Sequence, residues 1–301
     1  MRRFVGMQRY SRSTARMVVG VYLATIFASV GFGHYLLSLP TSWMTIVLVV
    51  FTAIFIGTRH RGLNNIIHEC SHASFADERQ DNTVIGSLCA SLLLKSFTKY
   101  RDDHLSHHAH IGDYEMDHEF APIKKFRLHE PLTARTVLRH IVTPLLGRHL
   151  RMYTGINLSD EDGRAYYWLK IAVVAAIVLF TILQPLTSLI FVIIPLFYIY
   201  PTINFWTDCL DHAGLVGAED ELEASRNVLA PTPVRLLFFP RNDCYHLVHH
   251  LFPQIPARHL HKAHAELCES PDYCGQPAAV WPTHRFLTPP LVSKTAAPAS
   301  D

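Results

Sequence analysis

Nine of the 20 histidines in this sequence stand in groups whose spacing could bring imidazoles together. Within each group the spacing is mostly three or four residues, which on a helix places side chains on one face. Imidazole is a ligand for zinc, copper, iron and nickel, and a metal ion takes up the lone pairs of neighbouring buried imidazoles. Nine ligands exceed the three protein ligands of a catalytic zinc, so the pattern predicts a site for two metal ions. The predicted ligands are His68, His72, His104, His107, His108, His212, His246, His249 and His250.

The first pair lies in the sequence His68-Glu69-Cys70-Ser71-His72, which also fits the H-E-x-x-H pattern of zinc peptidases. In those enzymes the glutamate is the general base, so an intramembrane zinc protease is one alternative. It leaves seven further clustered histidines unexplained. A histidine-rich metal transporter or sensor is a second alternative. It predicts ligands along a path through the membrane, whereas these histidines lie outside the apolar stretches.

Acidic residues surround the histidine groups. Two divalent ions held by neutral imidazoles would leave about four positive charges to balance, and carboxylates commonly orient ligating imidazoles. Asp208 stands four residues before His212 and shares a helical face with it, so it is a candidate ligand, directly or through water. Asp102, Asp103 and Glu119 are further acidic neighbours. The candidates for orienting the imidazoles are Glu69, Asp113, Asp117, Asp211 and Asp243.

The elements that position these residues include long apolar stretches, in a sequence that is 49% hydrophobic. A helix needs about 20 apolar residues to cross a hydrocarbon core. The predicted spans are residues 17–38, 42–58, 168–183 and 186–206. We predict an all-α integral membrane protein with four transmembrane helices and a cytoplasmic helical cap that holds the dimetal site. Residues 83–94 are too short to cross and are predicted to form an interfacial or buried helix.

The basic residues predict the orientation. The connections 39–42 and 184–185 contain no Lys or Arg, so the positive-inside rule places both termini and the metal site in the cytoplasm, at the inner membrane if the source is bacterial. The net charge of +2 gives no reason to expect a nucleic-acid partner, and the basic residues are expected to face membrane lipids. The predicted organisation is a basic N-terminal segment (1–16), a membrane domain (17–265) and a proline-rich C-terminal tail (266–301).

In its histidine motifs the sequence resembles the membrane fatty acid desaturase and hydroxylase family. "HECSH" is similar to the first histidine box of that family, "HLSHHAHIGD" to the second and "YHLVHHLFPQIP" to the third. His212, in "DCLDHAG", stands where the family has an additional histidine after the fourth span. The resemblance extends from about residue 60 to 265. One position departs: the stearoyl-type members have an asparagine that reaches a metal through water, where this sequence has Asp208.

The resemblance implies a non-haem di-iron centre that uses O2 to oxidise an unactivated C–H bond, with the histidines as ligands and no separate catalytic residue. Desaturation of a fatty acyl chain is the main expectation. A hydroxylase or another oxygenase acting on a lipid, carotenoid or specialised metabolite is the alternative. The substrate would be an acyl lipid, acyl-CoA or acyl-carrier protein. No motif for another redox cofactor is present, so the resemblance implies an external electron donor of the ferredoxin, rubredoxin or cytochrome type.

Overall fold

A computed structural model describes residue 4, residues 6–218 and residues 220–282. These described residues form helices and connecting segments, and no β-strand occurs among them, which confirms the predicted all-α class. The helices are α1 (Arg12–Ser38), α2 (Trp43–Ser71), α3 (Arg79–Leu92), α4 (Phe97–Ala109), α5 (Ala134–Leu145), α6 (Leu150–Tyr153), α7 (Arg164–Leu183), α8 (Pro185–His212), α9 (Thr232–Phe238), α10 (His246–Leu251), α11 (Leu260–Leu267) and α12 (Pro271–Cys274).

Four helices, α1, α2, α7 and α8, are long and apolar enough to cross a membrane, as predicted. The first two start at serines whose hydroxyl oxygens accept backbone N–H groups of the first turn, Ser11 from Thr14 and Ser42 from Thr45. The last two are separated at Gln184, where the backbone leaves the helical conformation. The cytoplasmic location of the termini stays a prediction.

Two of these helices continue well beyond the predicted apolar spans. α2 extends to Ser71 and α8 to His212, because their polar second halves pack against each other and satisfy their hydrogen bonds. The Tyr200 hydroxyl donates to Asn64 Oδ1 over 2.6 Å. Arg61 donates to Asn204 Oδ1 over 3.0 Å. The metal-ligand candidates of α2 and α8 therefore stand at the ends of helices that begin in the apolar region.

Glycines allow α1 and α8 to approach α2 closely. A Cβ at Gly62 would lie 2.0 Å from Tyr22 Cε1 of α1, and a Cβ at Gly57 would lie 2.4 Å from Ile199 Cγ2 of α8. Side chains at these positions would push the helices apart. α2 is thus the central helix of the bundle, and it also contacts α3 and α4.

α5 is amphipathic, and its apolar face is exposed. Val137, Leu138, Ile141 and Leu145 project outward, whereas His140 is buried. The opposite face lies on α8, where the Trp206 indole donates to a carbonyl of α5 over 3.3 Å. An exposed apolar stripe beside four membrane-length helices is typical of a helix at the membrane interface.

The C-terminal part of the described chain packs around α10. Tyr273 is 4% exposed and Ala279 is fully buried in an apolar cluster that includes Leu247 and Val248. Of the predicted proline-rich tail (266–301), residues 266–282 are described and contribute to this packing. Residues 283–301 lie outside the described residues.

Candidate metal centre

The ends of α2 and α8 meet α4 and α10, and the nine predicted histidines come together there in two groups. The ligand atoms within each group all lie within 4.8 Å of one another. Asp208 belongs to neither group. The first group contains His68, His72, His104, His108 and His249, and the second contains His107, His212, His246 and His250.

The helices α4 and α10 lie between the two groups and contribute to both. On α4, His104 and His108 point into the first group, whereas His107 points into the second. On α10, His249 belongs to the first group, whereas His246 and His250 belong to the second. Residues four apart share a helical face, while neighbours in sequence differ by about 100°. The groups adjoin where the ring of His108 stacks on that of His250 at a centroid distance of 4.3 Å.

Short separations between Nε2 atoms characterise both groups. In the first, His68 and His249 are 2.8 Å apart, and His72 and His104 are 2.9 Å apart. In the second, His212 and His246 are 2.9 Å apart. With metal–nitrogen bonds of about 2.1 Å, two ligands at right angles would have nitrogens about 3 Å apart. The spacing therefore suits imidazoles that converge on a common ion.

The proton positions favour the same conclusion. Carboxylate and carbonyl oxygens accept hydrogen bonds, so an imidazole nitrogen that contacts one must donate. His104 donates from Nδ1 to Glu119 over 2.8 Å, His107 donates to Asp117 over 2.7 Å, and His212 donates to the Ala224 carbonyl over 3.2 Å. In the neutral form each then presents a bare lone pair at Nε2. Lone pairs directed into a shared space fit a cation.

Burial keeps most of these imidazoles neutral, which is the form that binds metal. Burial, together with neighbouring imidazoles, lowers the pKa of His72, His246, His249 and His250 well below the ordinary value. His107 is different. Burial favours its neutral form, but the hydrogen bond to Asp117 and the nearby carboxylates outweigh burial and raise its pKa.

Three carboxylates contact the imidazoles. Asp117 is completely buried against His107. Glu119 contacts His104, and although burial alone would raise the pKa of its carboxyl, the nearby imidazoles hold this pKa down, at about 2. Asp211 Oδ2 lies 3.6 Å from His246 Nδ1. Each stands behind an imidazole, on the side away from the converging Nε2 atoms.

Asp113, also a candidate, lies elsewhere. Its carboxylate accepts the backbone N–H of Glu115 over 2.8 Å and that of Met116 over 3.3 Å, in an exposed turn after α4. These contacts give it a role in the turn that leads to Asp117.

Glu69 and Asp243 form ion pairs with arginines. Three side chains on one face of α2, each four residues from the next, contact the segment 240–243 that leads into α10. The Asn65 amide donates to the Pro240 carbonyl over 2.7 Å. The side chains of the two ion pairs, Arg61 with Asp243 and Glu69 with Arg241, are at least 90% buried. We call these contacts the polar clamp: Arg61 with Asp243, Asn65 with the Pro240 carbonyl, and Glu69 with Arg241. The clamp therefore holds α10, which carries His246, His249 and His250, against α2, which carries His68.

A cavity of about 560 Å³ lies beside the histidine groups. His68, His104 and His246 form part of its wall, and Asp208 lines it as well. The Tyr153 hydroxyl donates to Asp208 Oδ2 over 2.6 Å. Asp208 is thus placed in the cavity beside the ligand groups and is held by a tyrosine.

Comparison with known proteins decides the family. The family model described as fatty acid desaturase matches residues 41–279. The chain belongs to the fatty acid desaturase family. Membership implies an oxidoreductase, and the match covers all four helical segments that contribute histidines.

The family relatives are distant in sequence. A dihydrorhizobitoxine desaturase of Bradyrhizobium elkanii is 25% identical over 281 residues, 87% of this chain and 78% of that protein. A chloroplastic omega-3 fatty acid desaturase of Brassica napus is 25% identical over 275 residues, 80% of this chain and 64% of that protein. A chloroplastic sn-2 acyl-lipid omega-3 desaturase (ferredoxin) of Helianthus annuus is 28% identical over 233 residues, 69% of this chain and 52% of that protein. The chain therefore spans between half and two thirds of these two plant desaturases.

Several residues of this desaturase-family site have no sequence motif that marks them. The sequence indicates Glu119 only as an acidic neighbour of the histidines, although it contacts His104 as directly as Asp117 contacts His107. Arg241 and Tyr153 had no motif to mark them, and their partners are far away in sequence. A sequence signal for Glu119 is its position two residues after Asp117 in the same turn.

Proposed function

We propose that this protein is a di-iron, O2-dependent desaturase of a fatty acyl chain. The observation that carries the proposal is the pair of adjoining imidazole groups, each with enough ligands for one ion, in a member of the fatty acid desaturase family. Imidazole alone does not select iron over zinc. Iron is proposed because removing hydrogen from an unactivated C–H bond requires redox chemistry.

The described residues have distinct tasks in this proposal. The nine histidines would hold the irons through their converging nitrogens, and the bound irons would supply the activation of dioxygen and the removal of hydrogen. Asp117 and Glu119 fix the tautomers of His107 and His104, so that Nε2 stays unprotonated. The cavity beside the groups would hold the carbon chain at a fixed distance from the ligands, which determines the position that is oxidised.

The surroundings proposed for the reaction are a membrane and an external electron donor. Four helices could cross the bilayer, and we propose that the site and both termini are cytoplasmic. The reaction consumes two electrons from outside, and ferredoxin is named for the Helianthus annuus relative. A ferredoxin, rubredoxin or cytochrome-type donor is proposed here. An acyl lipid, acyl-CoA or acyl-carrier protein would present the chain.

Hydroxylation is the second candidate, and Asp208 is the observation that favours it. An aspartate in the cavity, where the stearoyl-type members of the family have an asparagine, places an ionisable carboxyl beside the proposed irons. Peptidase activity has little support, because the Glu69 carboxylate is bound to Arg241.

Expression in a host of defined lipid composition, followed by mass spectrometry of the lipids and fatty acids, tests the proposal. We expect a mass loss of two hydrogens and a new double bond, absent with His107→Ala. An added oxygen would establish hydroxylation instead. Metal analysis should give about two irons per chain. About one zinc and no iron would overturn the proposal.

A further inference from the structure

The cavity beside the first imidazole group is lined by polar residues at one part and by apolar residues at another. Asn64, Asn65 and Asn204 line it from α2 and α8. Its volume of about 560 Å³ is that of a small-molecule site, which is roughly 300–1,000 Å³. These three amides already have partners within the protein, in Tyr200, Pro240 and Arg61. Selection of a ligand with a polar end therefore depends on the charged residues of the wall.

Lys95 provides the charge in this wall. Its half-buried ammonium lies 5.1 Å from the centroid of the Tyr200 ring. Among the described residues, no carboxylate oxygen lies within 4.0 Å of it. The other cations that line the cavity are paired, Arg61 with Asp243 and Lys99 with Asp103. Lys95 is therefore the cation of the cavity that is available to an anionic ligand.

The backbone around Lys95 is fixed from both sides. Leu94 has a positive φ of 56°, and the carbonyl of Leu94 accepts the N–H of Asn157 over 2.8 Å. The first N–H groups of α4 do not offer an alternative anion site, because Asp162 accepts those of Phe97 and Thr98 over 2.9 and 2.8 Å. A ligand anion in this part of the cavity would meet the Lys95 side chain.

Lys95 shares the cavity with four carboxylates, three of which have basic partners: Glu119 contacts His104, Asp211 lies beside His246, and Asp243 pairs with Arg61. The fourth is Asp208, which accepts the Tyr153 hydroxyl. The Tyr200 hydroxyl contacts Asn64, which stands one helical turn before His68, roughly 6 Å along α2. Asp208 lies eight residues beyond Tyr200 on α8, roughly 12 Å away. An anion at Lys95 would therefore lie in the same cavity as His68 and His104 of the first imidazole group.

The cavity becomes apolar toward its surface. Met152, Ile156 and Leu158 line it and are 36%, 55% and 39% exposed. They follow α5, whose exposed apolar face is suited to a membrane interface. A hydrocarbon chain can lie against these residues and continue into lipid.

We propose that Lys95 binds the anionic end of the substrate, a carboxylate or a phosphate, so that an acyl compound enters with this end first and its chain leaves past Met152, Ile156 and Leu158. This inference rests on the proposed function for its chemistry. It limits the substrate class to acyl compounds that carry an anionic group, and it places the oxidised carbon near that group rather than near the methyl end.

Equilibrium binding of radiolabelled octanoate to the full chain in lipid nanodiscs tests the site directly. Methyl octanoate serves as the neutral probe of equal length. We expect Lys95→Met to weaken octanoate binding about tenfold or more, since a hydrogen bond to a charged group is lost, and to leave the ester unchanged. Lys95→Arg should retain binding within about threefold.

Lys124→Met is the matched control, because Lys124 also lies over a tyrosine ring, 5.7 Å from that of Tyr114, but is exposed and lies outside the cavity wall. It should bind octanoate as the unaltered protein does. Equal binding of octanoate and its ester, or octanoate binding that Lys95→Met does not change, would overturn the proposal. A lysophosphatidate of the same chain length that binds more tightly, with the same dependence on Lys95, would identify the anion as a lipid phosphate and support the site.

Binding is measured on metal-free and iron-loaded protein, which separates the two proposals. Octanoate binding that depends on Lys95 in a protein that oxidises no chain would support the anion site and refute the desaturase proposal. Oxidation of a chain without such binding would support the desaturase proposal and refute the anion site. Where turnover occurs, a new double bond close to the carboxyl end of the chain is expected, and one confined to the methyl end would contradict entry of the anionic end first.

Discussion

Glu69 accepts hydrogen bonds from both Nε and Nη2 of Arg241, while the adjacent His68 directs its Nε2 toward His249, 2.8 Å away. Neighbouring residues of one helix therefore have separate tasks. The imidazole joins the first group, and the carboxylate joins the polar clamp. The H-E-x-x-H pattern is thus present in the sequence without a free carboxylate beside the ligands.

Removal of Glu69 should destabilise the protein without a specific loss of chemistry. Glu69→Ala leaves Arg241 buried without its counterion, which typically costs about 3–5 kcal/mol. The apparent Tm in detergent should fall, and metal content should fall with it. The double variant Glu69→Met and Arg241→Met should recover part of the loss. Full stability and full metal content with no turnover in Glu69→Gln would instead support a general base at this position.

Asp117→Asn should weaken metal binding. The buried carboxylate fixes His107 in the tautomer that presents Nε2, and loss of such partners typically lowers metal affinity about 10- to 100-fold. Competition with a chelator measures the affinity. Asp113→Asn is the control from the same segment, and it should retain full affinity because Asp113 contacts the backbone of an exposed turn. Equal losses in both variants would refute this distinction.

Single substitutions in the two groups should each remove one ion. His72→Ala alters the first group and His246→Ala the second, so the metal content should fall from two per chain toward one in each case. The double variant should bind almost none. His34→Gln is a suitable control, since His34 contacts Thr187 over 2.9 Å and lies outside both groups. Loss of both ions in either single variant would indicate one indivisible cluster.

Asp208→Asn should keep both metals and change the reaction. Asp208 lies outside both histidine groups, so metal analysis should be unaffected. An amide oxygen can still accept the Tyr153 hydroxyl, but an amide cannot ionise. We expect the ratio of alkene to alcohol products to shift toward the alkene, as measured by mass spectrometry. A loss of metal would show that Asp208 is a ligand.

The sequence was sufficient to predict which histidines converge, because the spacing of three and four residues is a property of the helix itself. The sequence could not predict how the nine histidines divide between the two groups. His107 and His108 are neighbours in sequence but belong to different groups, which follows from the position of α4 between α2, α8 and α10. That position depends on packing between helices, including the close approach at Gly57 and Gly62.

The number of membrane-length helices was also predictable, whereas the ends of these helices were not. Hydropathy defines the apolar part of α2, but the helix continues for another 13 residues beyond residue 58 to Ser71. That extension is stabilised by the polar clamp, whose partners lie more than 170 residues away in sequence. Long-range polar pairs leave no local pattern, and the same is true of Tyr153 with Asp208.

Both histidine groups include residues from α10, and both also require α4. With the two proposed ions in these groups, neither ion would be fully coordinated until His249 and His250 have been synthesised and the segment 240–243 has docked on α2. Metal insertion would then be a late step in the biogenesis of this protein. The ions would join helices that their own packing and the polar clamp have already brought together.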